Sequence, residues 1–289
     1  MKNLKKWFFY IAFTLVAMGC FLYFLFPSET FKGVVSTYLS KTLPDYQVQI
    51  GGLKPVLPLG LGFESMTVTQ KDTLWAQIDQ LKITPRFATL LSPRKTINFR
   101  GTAYQGDLRG SVHVNESEKG TRTDVLLKLS DIQLSTIANL QERLGRKLSG
   151  ILNGDVDIID KDGPARSIKG KLNCTDVRLA LSNPIINIQE VALNNVEAEF
   201  SVNKQVFSLK QMVAKDGQVE GSLTGTIMIR KPMRKSRINL RGSFLPQEVL
   251  LASIQGLLPG NLFKQGKTGD KGMPVRIYGT LEKPKFSFR

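Results

Sequence analysis

From residue 46 onward apolar and polar side chains alternate along most of the chain, the signature of strands with one face on a core and one in water. Tyr46-Gln-Val48-Gln-Ile50 opens the series. Val196, Ala198, Phe200 and Val202 alternate with Glu197, Glu199, Ser201 and Asn203. Val156 and Ile158 alternate with Asp155 and Asp157, and Leu223, Ile227 and Ile229 with Thr226, Met228 and Arg230. These nine apolar positions are the candidate lining of an apolar groove. Successive strands are expected from residue 46 to 288, including separate strands at 166–174, 176–182, 185–192 and 194–203. Asp162-Gly163-Pro164, Asn183-Pro184, Asn203-Lys204-Gln205 and Asp216-Gly217 are the expected turns.

The period switches to helical in three places. Residues 28–43 place Phe31, Val34, Val35, Tyr38 and Leu39 at helical spacing behind a Ser28 cap, and Pro44 ends the run. Such a helix lies along a membrane surface or packs on the first strands. Residues 135–145 place Ile137, Leu140 and Leu144 on one face, with Ser135 as N-cap and Gly145 as stop. Residues 247–256 repeat this with Val249, Leu250 and Ile254, ahead of a polar Gly- and Lys-rich stretch at 260–272. A helix after Leu134-Ser135 and another after Leu245-Pro246 suggest two copies of one β-rich module.

Ahead of all this, residues 7–26 read WFFYIAFTLVAMGCFLYFLF, without a charge between Trp7 and Phe26. A helix of this length spans about 30 Å, the hydrocarbon thickness of a bilayer. Lys2, Lys5 and Lys6 precede it, and the positive-inside rule keeps the N-terminus in the cytoplasm. A cleaved signal peptide fits less well, because the run exceeds the usual 7–15 residues and lacks an Ala-x-Ala site. Met18-Gly19-Cys20 is a faint lipoprotein-like site.

The fold expected is therefore mainly β. An N-terminal transmembrane helix precedes a long curled antiparallel sheet, a repeat-built trough or a sandwich, with two or three short amphipathic helices. The expected organisation is a cytoplasmic tail at 1–6, an anchor at 7–26 and a juxtamembrane helix at 28–43. β modules at 45–132 and 133–244 follow, then a helix, loop and closing strands at 245–289.

One motif recurs: Gly-x-Leu-x-Gly-x-[Val/Ile]-x-[Val/Ile], at Gly106 to Val114, Gly150 to Ile158 and Gly221 to Ile229. Its glycines fall on one face, where they remove bulk and let a sheet curl. Charge adds a second feature. The chain has 289 residues and a net charge of +16. Arg230, Lys231, Arg234, Lys235, Arg237 and Arg241 crowd one stretch. They form a basic docking patch or simply a solvated face. The expected topology puts them outside the cytoplasm, which excludes nucleic acid and leaves anionic lipid headgroups or an acidic protein.

Reactive chemistry is missing. His113 is the only histidine and lies on the polar face, where exposure is expected. Cys20 and Cys174 are too far apart in the expected fold to pair, and Cys174 reads as a small inert core residue. The acidic pairs Asp155/Asp157 and Glu197/Glu199 alternate as a solvated face does. No nucleophile elbow, phosphate loop or dinucleotide fingerprint is present. The expectation is a non-enzymatic protein with no cofactor and no metal.

Three segments carry a resemblance. They are Gly51-Gly52-Leu-Lys-Pro55-Val-Leu-Pro58-Leu-Gly60-Leu61-Gly-Phe63, the stretch from Ile83-Thr-Pro85 through Tyr104-Gln-Gly106-Asp-Leu-Arg-Gly110, and the ending Val275-Arg-Ile-Tyr-Gly279-Thr-Leu-Glu-Lys-Pro284-Lys-Phe286. Together with the apolar start, these resemble the type II secretion system protein N (GspN) family in its anchored form. The second half, and Gly279-Thr-Leu-Glu-Lys-Pro284 above all, looks like the C-terminal region of AsmA-like proteins. The first resemblance implies a single-pass bacterial inner-membrane protein with a periplasmic β-domain, working through contacts with other secretion components. The second implies a periplasmic lipid-transport protein whose apolar groove shields phospholipid acyl chains. Neither family brings catalytic residues.

Overall fold

A computed structural model describes residues 2–42, 46–57, 60–70, 73–89, 92–117, 120–144, 146–161, 167–185, 188–247 and 272–287. The chain divides into two compact units, Met1–Pro85 and Arg86–Arg289.

The first unit holds helices α1 (Lys2–Phe24) and α2 (Ser28–Thr42) and strands β1 (Gln47–Val56), β2 (Gly60–Gln70) and β3 (Thr73–Pro85). The strands pair antiparallel in chain order. Alternation in β1 buries Val48 and Ile50, and together with Leu53 and Phe63 they form a small core. Val35 and Leu39 of α2 close it from above, so α2 packs on the first strands. Lys32 Nζ donates to the Gly51 carbonyl at 3.2 Å and Ser36 Oγ to that of Val48 at 3.4 Å.

The expected membrane-spanning helix at 7–26 is not borne out. Among the described residues no helix is long and apolar enough to cross a membrane. The apolar run and the helix do not coincide. α1 begins at Lys2, so the lysines lie inside it, and it ends at Phe24. Its apolar part, from Trp7, is then about 27 Å long, short of the ~30 Å of hydrocarbon, and Tyr10, Thr14, Gly19 and Tyr23 dilute it. Phe26 leaves the run altogether. It packs against the β1–β2 core and stacks on Phe31 with ring centroids 4.9 Å apart. Trp7, at the other end, is exposed.

Among its described residues the second unit is an antiparallel meander of eleven strands: β4 (Arg94–Ala103), β5 (Gly106–Ser117), β6 (Gly120–Gln133), β7 (Leu148–Lys161), β8 (Ser167–Ile185), β9 (Ile188–Asn203), β10 (Val206–Lys215), β11 (Val219–Met228), β12 (Arg237–Pro246), β13 (Met273–Thr280) and β14 (Pro284–Ser287). Each pairs with its neighbours in sequence, in one sheet. The break before β4 holds a short 3-10 turn at Phe87–Thr89.

Between β6 and β7 a 3-10 turn (Leu134–Thr136) leads into α3 (Ala138–Leu144). Ser135 sits inside the turn rather than capping a helix. The Gln141 side chain fixes this connection instead. Its amide donates to the carbonyls of Leu134 and Leu148 at 3.1 and 2.7 Å, and its oxygen accepts from Leu148 N at 2.7 Å.

Four expected strands are two long ones. β8 runs through Thr175 and Asp176 with a bulge, Asp176 taking φ +53, and β9 runs unbroken from 188 to 203. Asn183-Pro184 lies within β8, not in a turn. Beyond Leu179, β8 has outrun β7, so Pro184 takes no donor away from the ladder on that side. The helix expected at 247–256 and the polar stretch at 260–272 lie essentially outside the described residues, as do Gly145 and the turn at 162–164.

Candidate functional site

Residues directly opposite each other in an antiparallel pair share a face. Following partners across the second unit gives unbroken apolar rows. One runs Ile97, Val112, Val125, Ile158, Ile168, Val202, Phe207, Ile227, Ile238, from β4 to β12. Two residues further along each strand, Leu127, Val156, Gly170, Phe200, Leu209, Gly225, Leu240, Ile277 and Phe286 align from β6 to β14. A third row takes in Leu172, Ala198, Met212, Leu223, Gly242 and Val275, and a fourth Cys174, Val196, Ala214 and Gly221. Bulges at Asp131, Asp176 and Lys210 keep these rows in phase along strands of unequal length.

Eight of the nine groove residues therefore fall on one face. Ile229 does not belong to a row. It follows the end of β11, where its N–H donates to the Gln205 carbonyl at 2.7 Å. The sequence did not single out Phe207, Met212, Val275, Ile277 and Phe286; of these only Ile277 and Phe286 have polar residues on both sides, whereas Val206, Val213 and Pro274 blur the alternation at the other three.

Among the described residues little covers this face. Among the described apolar residues of the unit, only Ala103, Ile132, Leu134, Val177, Val196 and Ile238 are buried. Two sheets packed face to face would bury alternate residues on every strand. Here Val156, Phe200, Leu209, Leu223 and Ile227 are half-buried. Among the described residues the 3-10 turn at Leu134–Thr136 is the chief helical contact of the unit's strands, and it sits at one end of β7.

Glycines shape the floor of the face. A Cβ on Gly110 would lie 2.4 Å from Cζ of Phe99, and one on Gly170 2.5 Å from Cε1 of Phe200. The phenyl rings thus fill the places that side chains would occupy, and Phe200 also stacks on Phe207 at 5.4 Å. The repeated Gly-x-Leu-x-Gly motif supplies Gly110, whereas Gly170 lies outside its three copies. Over β10 to β14 the face forms a concavity of about 330 Å³ lined by Met212, Leu223, Phe244, Val275, Ile277 and Phe286 among others.

Across β6 to β9 the opposite face carries charges of alternating sign. Lys128, Asp155, Lys171 and Glu199 follow one another across β6 to β9, and Lys210 Nζ donates to Glu199 at 2.8 Å. The Lys210 hydrogen bond holds the Glu199 carboxyl below the ordinary range. This ladder lines a second, polar concavity of about 580 Å³. Asp155, Asp157 and Glu197 are exposed, and among the described residues no group of carboxylates, His and Cys is placed to hold a metal ion. His113 is half-buried rather than exposed, its Nδ1 3.1 Å from Thr96 Oγ1 and its Nε2 3.1 Å from Ser111 Oγ. Cys174 is half-buried, and desolvation pushes its thiol up, away from the reactive thiolate.

Of the basic residues, Arg230, Lys231, Arg234, Lys235 and Arg237 gather around the β11–β12 connection. Arg241 stands apart, four residues along β12 and opposite Arg276. Of the lysines at the start of the chain, Lys6 is exposed on α1.

No protein-family model, curated protein or solved structure matches this chain.

Proposed function

We propose that the second unit is a lipid-handling module whose apolar face shields the acyl chains of an amphiphile, a phospholipid being the simplest ligand of that chemistry. One observation carries the reading: apolar rows cross up to nine strands each, and among the described residues no layer lies over them. Uncovered apolar area costs about 25 cal/mol per Å², so a face of this size needs an occupant. An acyl chain fits because it asks only for apolar surface and no directed hydrogen bond. The periplasmic placement and the AsmA-like resemblance belong to the same proposal.

A secretion-system component working through its sheet edges receives less support. β14 is only four residues long and carries Pro284 and Lys285, two features that discourage strand addition.

The test is lipid extraction from the purified full chain, followed by mass spectrometry. Phospholipid at a fixed ratio to protein is expected, and Leu223→Asp, a change in the concavity, should remove most of it. Lipid that survives this substitution sits elsewhere, on α1 for example, and would refute the assignment.

A further inference from the structure

We propose that the end of the sheet built from the β11–β12 connection and the β13–β14 turn docks on an anionic lipid surface. The proposal goes beyond the acyl-chain reading and stands on separate observations.

The two connections form one platform. Ser236, fully buried, accepts the Arg230 N–H on its Oγ at 3.0 Å and the Leu281 N–H on its carbonyl at 3.0 Å. The Arg234 carbonyl accepts the Glu282 N–H, also at 3.0 Å. On this platform Arg230, Lys231, Arg234, Lys235, Arg237 and Lys283 are all exposed. Glu282 is the sole carboxylate in residues 229–237 and 281–285. Among the described residues none of the six cations makes an ion pair. Lys54, Lys95, Arg122, Arg178 and Lys210 each hold a carboxylate. Five strand cations are thus paired with carboxylates, whereas the six at this end are not.

Apolar side chains stand among these cations. Leu281 is 40 % exposed, Met228 46 % and Val206 37 %, and Val206 is the cross-strand partner of Met228. Protruding apolar groups interleaved with unpaired cations match the headgroup–acyl boundary, where the cations meet phosphates and the apolar groups enter the hydrocarbon. The apolar face also reaches this end. Ile227 immediately precedes Met228 and Ile238 immediately follows Arg237. An acyl chain leaving the bilayer beside Leu281 meets the first apolar row within a residue or two.

The test uses the full chain with Cys20 and Cys174 replaced by Ser and an environment-sensitive fluorophore attached through Leu281→Cys. Vesicles are of phosphatidylcholine alone or with about one-third phosphatidylglycerol. A blue shift with the anionic vesicles only is expected, while the same probe at Glu197→Cys, on the polar face, stays aqueous. Reversing Arg230, Lys231, Arg234 and Lys235 to Glu should weaken the response by about 10²–10³-fold, at roughly fivefold per cation. The neutral Gln set, which keeps side-chain length, should weaken it less. Equal shifts with both vesicles, no shift with either, or a shift that survives charge reversal would each overturn the proposal, the last pointing to a different surface. Should the labelled chain fail to fold, flotation of unlabelled wild-type and Gln-set chains with the same two vesicles distinguishes the same outcomes. The Leu223→Asp chain separates the two readings. It loses bound phospholipid if the acyl-chain reading holds, and it should still dock.

Discussion

Replacing Leu223 by Asp asks directly whether the apolar face is open. Leu223 lies between Met212 and Gly242 in the third row and lines the 330 Å³ concavity. On an open face the leucine gives up about 1–2 kcal/mol of partial burial and the strand up to about 1 kcal/mol of propensity. The carboxylate keeps its water, so the total is about 2–3 kcal/mol. Under a covering layer the same change removes a core leucine, at about 2–5 kcal/mol, and strands an unpaired charge at about 3–5 kcal/mol more. That sum reaches the whole stability of an ordinary domain, about 5–15 kcal/mol. Urea unfolding of the full chain, followed by far-UV circular dichroism, measures the difference, with Leu223→Ala as the size control. On an open face the Asp and Ala variants differ by about 1 kcal/mol, because a hydrated charge adds little. A gap of several kcal/mol, or an Asp chain with no folded baseline, would refute the open face and the ligand reading with it.

Three further outcomes follow from the geometry. Gly170→Val should cost about 1–3 kcal/mol, since its Cβ meets the Phe200 ring at 2.5 Å, and Phe200→Ala in the same chain should recover much of that in a double-mutant cycle. Gln141→Ala should cost about 2–3 kcal/mol in thermal unfolding, because two carbonyls and one N–H lose their partner together, whereas Glu142→Ala, next to it, should be close to neutral. The Glu199 carboxyl is lowered in the folded chain, so its contribution is present above the ordinary carboxylate value and lost as pH falls through the folded value. Lys210→Met should raise the Glu199 titration seen by carboxyl-carbon NMR, and an unchanged titration would dismiss the hydrogen bond as its cause.

Much of the face was readable in the sequence because its signal is local. Alternation in Val196 to Val202 or at Val156 and Ile158 needs only the period of the strand. The rows themselves were not readable. They depend on which residue sits opposite which, and bulges at Asp131, Asp176 and Lys210 reset that pairing with no Gly or Pro at those positions to announce them. Asn183-Pro184 misled for the converse reason: it has turn chemistry but lies where β8 no longer has β7 beside it. The apolar run at the start was legible as a run. Its division between α1 and the core around Phe26 was not, because that depends on packing partners more than twenty residues away. Arg241 was counted with the basic cluster by proximity in sequence, and a strand carries it away from the loop that gathers the others.

The neighbour-by-neighbour connectivity of β4 to β14 has an evolutionary corollary. Insertion of one more hairpin anywhere in the series would widen the sheet by about 9.6 Å, two inter-strand spacings, and return the chain to the same end and the same facing. Nothing outside the two flanking strands would need to re-pair. A scaffold of this kind can grow or shrink in steps of two strands, so homologues of different lengths should differ by whole hairpins and keep their termini and their basic tip unchanged.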